Sequence, residues 1–220
     1  MLCFDIGANR GDFTLAALSK GYDVVALEPA PKVFSKLVGN FIYNPHVTPL
    51  RFAVSDTDYD RVEFYEAEED GLSTLNQDWL TSKTMPYNGK PFRTISATTI
   101  TLDKLALIYG VPDLIKIDVE GAEWNVFKGL NSKMGTIAFE WTLETLKDHQ
   151  KQLKYLMRNG YTEVGCQYIV NHCEEPDTWQ DISKFNLAKW HKKNEPYWTK
   201  DGWKVANLRP TADVGMLWVR

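Results

Sequence analysis

The stretch Phe4-Asp5-Ile6-Gly7-Ala8-Asn9-Arg10-Gly11-Asp12-Phe13-Thr14 constrains the chain more than any other. Leu2, Phe4 and Ile6 read as a short apolar strand, and Gly7 and Gly11 allow a tight turn that brings backbone close to a ligand. Asp12 is expected to cap the helix that Phe13, Leu15, Ala16 and Leu18 continue. A strand, a glycine turn and a helix start form a nucleotide-type binding loop. Dinucleotide loops of the G-x-G-x-x-G type place their second glycine where a pyrophosphate lies on the backbone. Here that position is Asn9, which argues against NAD and a dehydrogenase.

The D-x-G-x-N-x-G spacing suits a ligand without a pyrophosphate, such as S-adenosylmethionine, whose amino-acid end can meet the Asp5 carboxylate and the amides of the turn. The loop and the first helical turn, Asp5, Gly7, Ala8, Asn9, Gly11, Phe13 and Thr14, are the candidate contacts. About 20 residues past the first glycine of such a loop, a carboxylate at the end of the second strand typically grips the ribose hydroxyls. Asp23-Val24-Val25-Ala26-Leu27-Glu28-Pro29 is that strand, with Glu28 as the carboxylate and Pro29 beside it.

The 220 residues are enough for one ordinary domain with a real core. A formal net charge of −4, mixed along the chain, gives no basic face for nucleic acid. Cys3, Cys166 and Cys173 are an odd set without repeated spacing, which fits free thiols in a reducing compartment. No apolar run approaches the roughly 20 residues of a bilayer span, so a cytoplasmic protein without a membrane span is expected. Met1 is followed at once by core strand, which suggests a domain cut from a longer polypeptide, with glycosyltransferase-type neighbouring domains as possible covalent partners.

Further along, Pro31 to Tyr43 carries a helical stripe, and Val47 to Ser55 reads as a third strand whose end, Val54 and Ser55, is placed to meet an adenine edge. Arg61 to Glu66 alternates as an antiparallel strand. The segment from Gly71 to Pro91 has no clear periodicity. Arg93 to Thr101 reads as a strand and Leu102 to Tyr109 as a helix stopped by Gly110. Leu114-Ile115-Lys116-Ile117-Asp118 is an apolar strand delivering Asp118 at its C-terminal end, where ligands of open α/β sheets lie. Gly121 then opens a helix, Thr136 to Trp141 is a buried strand bearing Glu140, and Thr145 starts a long amphipathic helix closed by Gly160. Tyr161 to Gln167 and Asp213 to Val219 are the last strands. Between them, residues 171–212 form a Trp-rich insertion expected to cap the substrate side. The pattern predicts an α/β, Rossmann-like single domain over 1–220, with a mostly parallel seven-stranded sheet, helices on both faces and an antiparallel last strand.

Asp5-Ile6-Gly7-Ala8-Asn9-Arg10-Gly11, Glu28-Pro29, Ala53-Val54-Ser55, Leu102-Asp103 and Ile117-Asp118-Val119-Glu120-Gly121-Ala122-Glu123, in that order, resemble the FkbM-type methyltransferases from about Phe4 to Tyr161. The resemblance implies a class I methyltransferase fold, S-adenosylmethionine as cofactor with S-adenosylhomocysteine as product, and O-methylation, commonly of sugar or natural-product hydroxyls. Substrate identity is where it reaches least far.

Methyl transfer to a hydroxyl needs the acceptor oxygen held in line and its proton removed. Asp118 is the first candidate for base or orienting group, and Glu120 and Glu140 are the next. Asp118 has an alternative as the cap of the following helix or as a cofactor contact, and Glu123 fits a first-turn role favoured by the helix dipole. Asp118 and Glu140 could instead share a Mg²⁺. The absence of an Asp-Asn pair after Glu140 disfavours that. A zinc site from Cys166, His172 and Cys173 fits no usual spacing. His149 and His191 read as solvated histidines or alternative bases. Trp124 and Trp141, with His172 and Trp179 from the insertion, are candidate sugar contacts, with ordinary packing as the competing role. Methylation of a secondary metabolite or lipid-linked acceptor, or an inactive cofactor-binding module, are the competing functions.

Overall fold

A computed structural model describes residues 1–85, 87–168, 173–201 and 214–220. The apolar strands predicted around the binding loop line up as β1 (Leu2–Ile6), β2 (Asp23–Leu27) and β3 (Val47–Leu50), followed by β7 (Leu114–Ile117) and β8 (Thr136–Thr142). They pair in parallel in the order β3-β2-β1-β7-β8. The last strand, β11 (Val214–Val219), enters antiparallel between β8 and β9 (Glu163–Tyr168), and the two-residue β10 (Gln180–Asp181) extends that edge. Among the described residues the sheet therefore has eight strands, the seven expected and the short β10. Its order reverses beside β1, and ligands of open α/β sheets bind at such a switch.

Strand periodicity of two sends alternate residues to opposite faces. Phe4, Ile6, Val25, Ile115, Ile117, Ile137 and Phe139 pack on one side against α4 (Leu102–Tyr109), α5 (Glu123–Lys128) and α6 (Leu146–Arg158). Cys3, Val24, Ala26, Leu114 and Ala138 pack on the other against Phe13 and Ala17 of α1 (Asp12–Ser19) and Leu37 and Phe41 of α2 (Pro31–Phe41). Thr101 caps α4, its Oγ1 accepting from the Lys104 amide. Asp12 does not cap α1. Gly11 holds the N-cap position at φ +96°, and a Cβ there would overlap the Phe41 ring.

Two strand assignments change. The span read as one strand from Val47 to Ser55 breaks after Leu50: β3 stays on the sheet edge, where Pro49 costs no ladder bond to a further neighbour. Ala53–Val54 becomes β4, which joins β6 (Phe92–Ile100) and β5 (Arg61–Ala67) in a separate three-stranded sheet. This second sheet closes on Ala30 and Val33 at the start of α2 through Ala53, Phe64 and Ala97. The segment without periodicity contains a short helix, α3 (Gln77–Thr81), anchored by the buried Trp79.

Several described residues of the Trp-rich insertion join the core. Ile182, Phe185 and Leu187 join the cluster of α4, α5 and α6, and Trp190, on α7 (Leu187–Asp201), packs against it. Trp141 is fully buried, with Tyr168, Trp190 and His191 around its ring. Trp124 lies edge-on to Tyr155 with the Lys151 ammonium over its face, and Trp179 carries the Arg220 guanidinium. Trp141 thus sits in the core, Trp124 and Trp179 are half-buried against these neighbours, and none of the three is among the residues lining the cleft described below. His172 lies outside the described residues. Truncating Trp141 to alanine should cost about 3–5 kcal/mol of stability in urea unfolding. An unchanged midpoint would contradict its core role.

Candidate functional site

The strand ends at the switch point surround a cleft of about 290 Å³. Its floor is the turn after β1. Gly7 adopts φ +72°, with its amide and that of Ala8 donating to the Leu27 carbonyl, and a Cβ on Gly7 would overlap the Asp118 carbonyl. The close approach of β1 and β7 at their C-terminal ends thus demands glycine there. Asn9 follows at φ +50°, a conformation asparagine tolerates better than most side chains. Its buried Oδ1 has no hydrogen-bond partner among the described residues.

Of the candidate cofactor contacts, Gly7, Ala8, Asn9, Phe13, Glu28, Pro29, Val54 and Asp118 line this cleft. Asp5, Gly11, Thr14 and Ser55 do not. Asp5 is fully buried behind the loop, one oxygen accepting from Thr14 Oγ1 at 2.6 Å and the other 3.5 Å from Lys116 Nζ. It holds the loop from below instead of meeting a ligand directly. Burial pushes its carboxyl up, against the pull of Lys116 and Thr14. Ser55 is likewise buried and donates to Asp56 Oδ1. Glu28 accepts from the Asn9 and Ala30 amides at 3.1 and 2.8 Å, and burial raises it to about 7 despite those bonds.

Asp118, Glu120 and Glu140 come together as expected, with one carboxylate oxygen from each lying within 4.8 Å of the others. All three line the cleft. Burial, then the Asp118 charge, drives Glu120 and Glu140 well above the usual carboxylate range. Glu120 stands at φ +55° and accepts from Trp79 Nε1 at 2.8 Å. Such a cluster can take up a proton, because protonation relieves crowding among like charges, and three carboxylates can also ligate a hard divalent cation. Asp118 does not cap α5. Glu123 does the equivalent work in the first turn, accepting from the Gly121 and Val119 amides, and burial raises it to about 7.

Two features of the site were not foreseen. Lys116 projects from the middle of β7, donates from Nζ to the Gly7 carbonyl at 2.9 Å and lies 3.4 Å from Asp118 Oδ2. Burial alone would depress it, but Asp118 and Asp5 outweigh that and hold the ammonium above its ordinary range. A lysine inside an otherwise apolar strand was the available signal. The second is a strap from the small sheet, Gly71, Ser73 and Leu75, which forms one wall. Asp70 fixes it to Arg10 at 2.6 Å and to Lys36, which with Arg10 lowers the carboxyl to about 2. Thr74 Oγ1 donates to the Glu120 carbonyl at 2.8 Å and Asn76 Nδ2 to the Gly121 carbonyl at 3.1 Å.

His149 and His191 are buried, not solvated. His149 accepts from the Thr142 amide, contacts Thr145 and Gln152, and is lowered by burial to about 4, while His191 meets the Tyr168 hydroxyl at 2.7 Å. The three cysteines are free thiols and buried.

The lining has the chemistry an adenosyl amino-acid ligand requires: apolar Pro29, Val33, Phe52, Val54, Phe64 and Leu75, the Glu28 carboxylate, and the unpartnered Asn9 Oδ1 with charged Lys116 and Asp118.

Residues 5–162 match the model of the methyltransferase FkbM domain, and the chain belongs to that family. A hexuronic acid methyltransferase, AglP, of Haloferax volcanii is 30% identical over 139 residues, 62% of this chain and 52% of that protein. The chain thus spans about half the length of this curated relative. Among solved structures, a precorrin-6Y C5,15-methyltransferase from Geobacter metallireducens aligns over 100% of this chain and 78% of its own at 13% identity and TM-score 0.46. A SAM-dependent O-methyltransferase from Thermotoga maritima aligns over 99% and 58% at 12% identity and TM-score 0.43. No helix among the described residues is long and apolar enough to cross a membrane.

A buried carboxyl raised from 4.5 to about 7 contributes stability below pH 4.5 that is lost as pH rises through 7, since the unfolded chain then binds fewer protons. Glu28 and Glu123 therefore make the ligand-free protein less stable at pH 8 than at pH 5.5. Glu123→Gln, which keeps an acceptor for the Gly121 amide, should flatten that slope by up to about 3 kcal/mol in urea unfolding. Parallel slopes for the two proteins would refute the assignment.

Proposed function

We propose that the chain is an S-adenosylmethionine-dependent O-methyltransferase acting on a hydroxyl of a sugar or glycan. The observation that carries this is one cleft lined together by the Gly7 turn, Glu28 and the clustered Asp118, Glu120 and Glu140 carboxylates. The sugar part of the proposal is supported by the hexuronic acid methyltransferase relative and not by Trp124, Trp141 or Trp179, which do not line the cleft.

In this reading Gly7, Ala8 and Asn9 receive the amino-acid end of the cofactor, Glu28 the ribose hydroxyls, and Pro29, Val33 and Val54 the adenine. Bound there, S-adenosylmethionine supplies an electrophilic sulfonium methyl. The chain aligns the acceptor oxygen, excludes water with the strap and takes the hydroxyl proton as the new C–O bond forms. Glu140 is the preferred acceptor of that proton. Glu120 is tied to Trp79 and Asp118 to Lys116, whereas Glu140 has no hydrogen-bond partner among the described residues. Burial and the neighbouring carboxylates raise its proton affinity, so the ionised Glu140 carboxylate is a stronger base than an ordinary glutamate. Asp118 then orients the hydroxyl or the cofactor.

The test is a donor-consumption assay over a panel of glycosides, uronic acid glycosides included, with and without EDTA, alongside calorimetric titration with S-adenosylhomocysteine. We expect homocysteine-product binding and sugar turnover that EDTA leaves intact. Glu140→Gln should lower turnover by about 10²- to 10⁴-fold with cofactor affinity retained. Full activity in that variant would transfer the role to Asp118, and loss of activity in EDTA would assign the three carboxylates to a cation. Failure to bind S-adenosylhomocysteine would remove the proposal.

A further inference from the structure

The residues lining the cleft include the carboxylates of Glu28, Asp118, Glu120 and Glu140, with Asp12 at the start of α1. Among the described lining residues Lys116 is the one cation. It sits at the floor, its Nζ 2.9 Å from the carbonyl of Gly7 and 3.4–3.5 Å from the carboxylates of Asp118 and Asp5. The ammonium has three N–H donors, and a single bond near 2.9 Å, with two longer ion contacts, leaves it capacity for another acceptor.

S-adenosylmethionine has two positive groups, the sulfonium and the α-ammonium, and one negative group, the α-carboxylate. An acidic cleft welcomes the first two and repels the third. We propose that the Lys116 ammonium is the counter-ion for the α-carboxylate of the donor, holding the amino-acid tail on the Gly7 turn. This rests on the cofactor reading above. The position is consistent with the fold: β7 lies beside β1 with Lys116 opposite Asp5, so the side chain rises under the turn that the tail would rest on. Asp5, which accepts from Thr14 Oγ1 and does not line the cleft, contacts the ammonium at 3.5 Å, while Lys116 itself lines the cleft.

The carboxylate requirement can be read directly by binding, without turnover. Calorimetry compares S-adenosylhomocysteine with its decarboxylated analogue, S-adenosyl-3-thiopropylamine, on the wild type and on two variants. Lys116→Gln removes the charge. The double variant D5N/K116M removes the buried pair together, so that Asp5 is not left as an uncompensated charge that unfolds the chain. The wild type should prefer S-adenosylhomocysteine by roughly ten- to a hundredfold, the usual worth of one charge-assisted bond. Both variants should lose that preference and bind the two ligands alike, whatever their common affinity.

A merely structural lysine predicts equal losses for both ligands, and that result overturns the inference while leaving the cofactor reading intact. So does a wild type that does not distinguish them. If the wild type binds neither ligand, the cofactor reading falls and this inference falls with it.

Discussion

The site hangs on a charge placed where a protein can least tolerate one. Lys116 is drawn out of water between β1 and β7, and desolvating an ammonium costs several kcal/mol unless partners offset it. Asp5, Asp118 and the Gly7 carbonyl are those partners, and each belongs to a different part of the binding surface. One buried cation therefore locks the end of β1, the turn that follows it and the end of β7 into a single arrangement. The left-handed Gly7, pressed against the Asp118 carbonyl, is the backbone counterpart of the same constraint.

Around this point the chain gathers more negative charge than it can keep ionised in isolation. Burial raises Glu28, Glu123, Glu120 and Glu140 together, and only Lys116 opposes them from within the cleft among the described residues. Stability is given up for this, since neutral side chains of similar shape would fold as well. Perturbed carboxyls of this kind concentrate where a protein handles protons or cations. An isolated acidic patch on the surface would show no such shifts, because water would screen it.

How much of this was legible depended on whether the deciding contact was local. The β1 turn, Glu28 and the β7 end were readable because strand, glycine and carboxylate follow one another at fixed spacing along the sequence. The sheet order and the antiparallel last strand followed from the alternation of elements. Asp5 was read as touching ligand, but its burial is set by Thr14 and Lys116, which lie nine and 111 residues away. The strap was invisible for a similar reason: Asp70 is tied to Arg10 and Lys36, and Thr74 to the Glu120 carbonyl, through bonds that leave no periodic trace. Trp124 and Trp141 could not be placed from sequence because an aromatic ring near carboxylates in sequence carries no sign of which face of the strand or helix it takes. The alternation of β8 buries Trp141 on the face opposite Glu140.

The division of labour between the two sheets follows from the same logic. Groups that must keep fixed distances, Lys116, Asp118 and Glu140, ride on adjacent parallel strands whose ladder sets their spacing. The walls that need only be apolar, Ala53, Val54, Phe64 and Leu75, come from the small second sheet and its loop. That sheet is joined to the first through α2 and through side chain to backbone bonds at Thr74 and Asn76, not through a shared strand ladder. A wall attached in this way bears directly on the charges behind it, because the buried Thr74 and Trp79 bond the Glu120 carbonyl and carboxylate while the Lys116 network is carried by the first sheet.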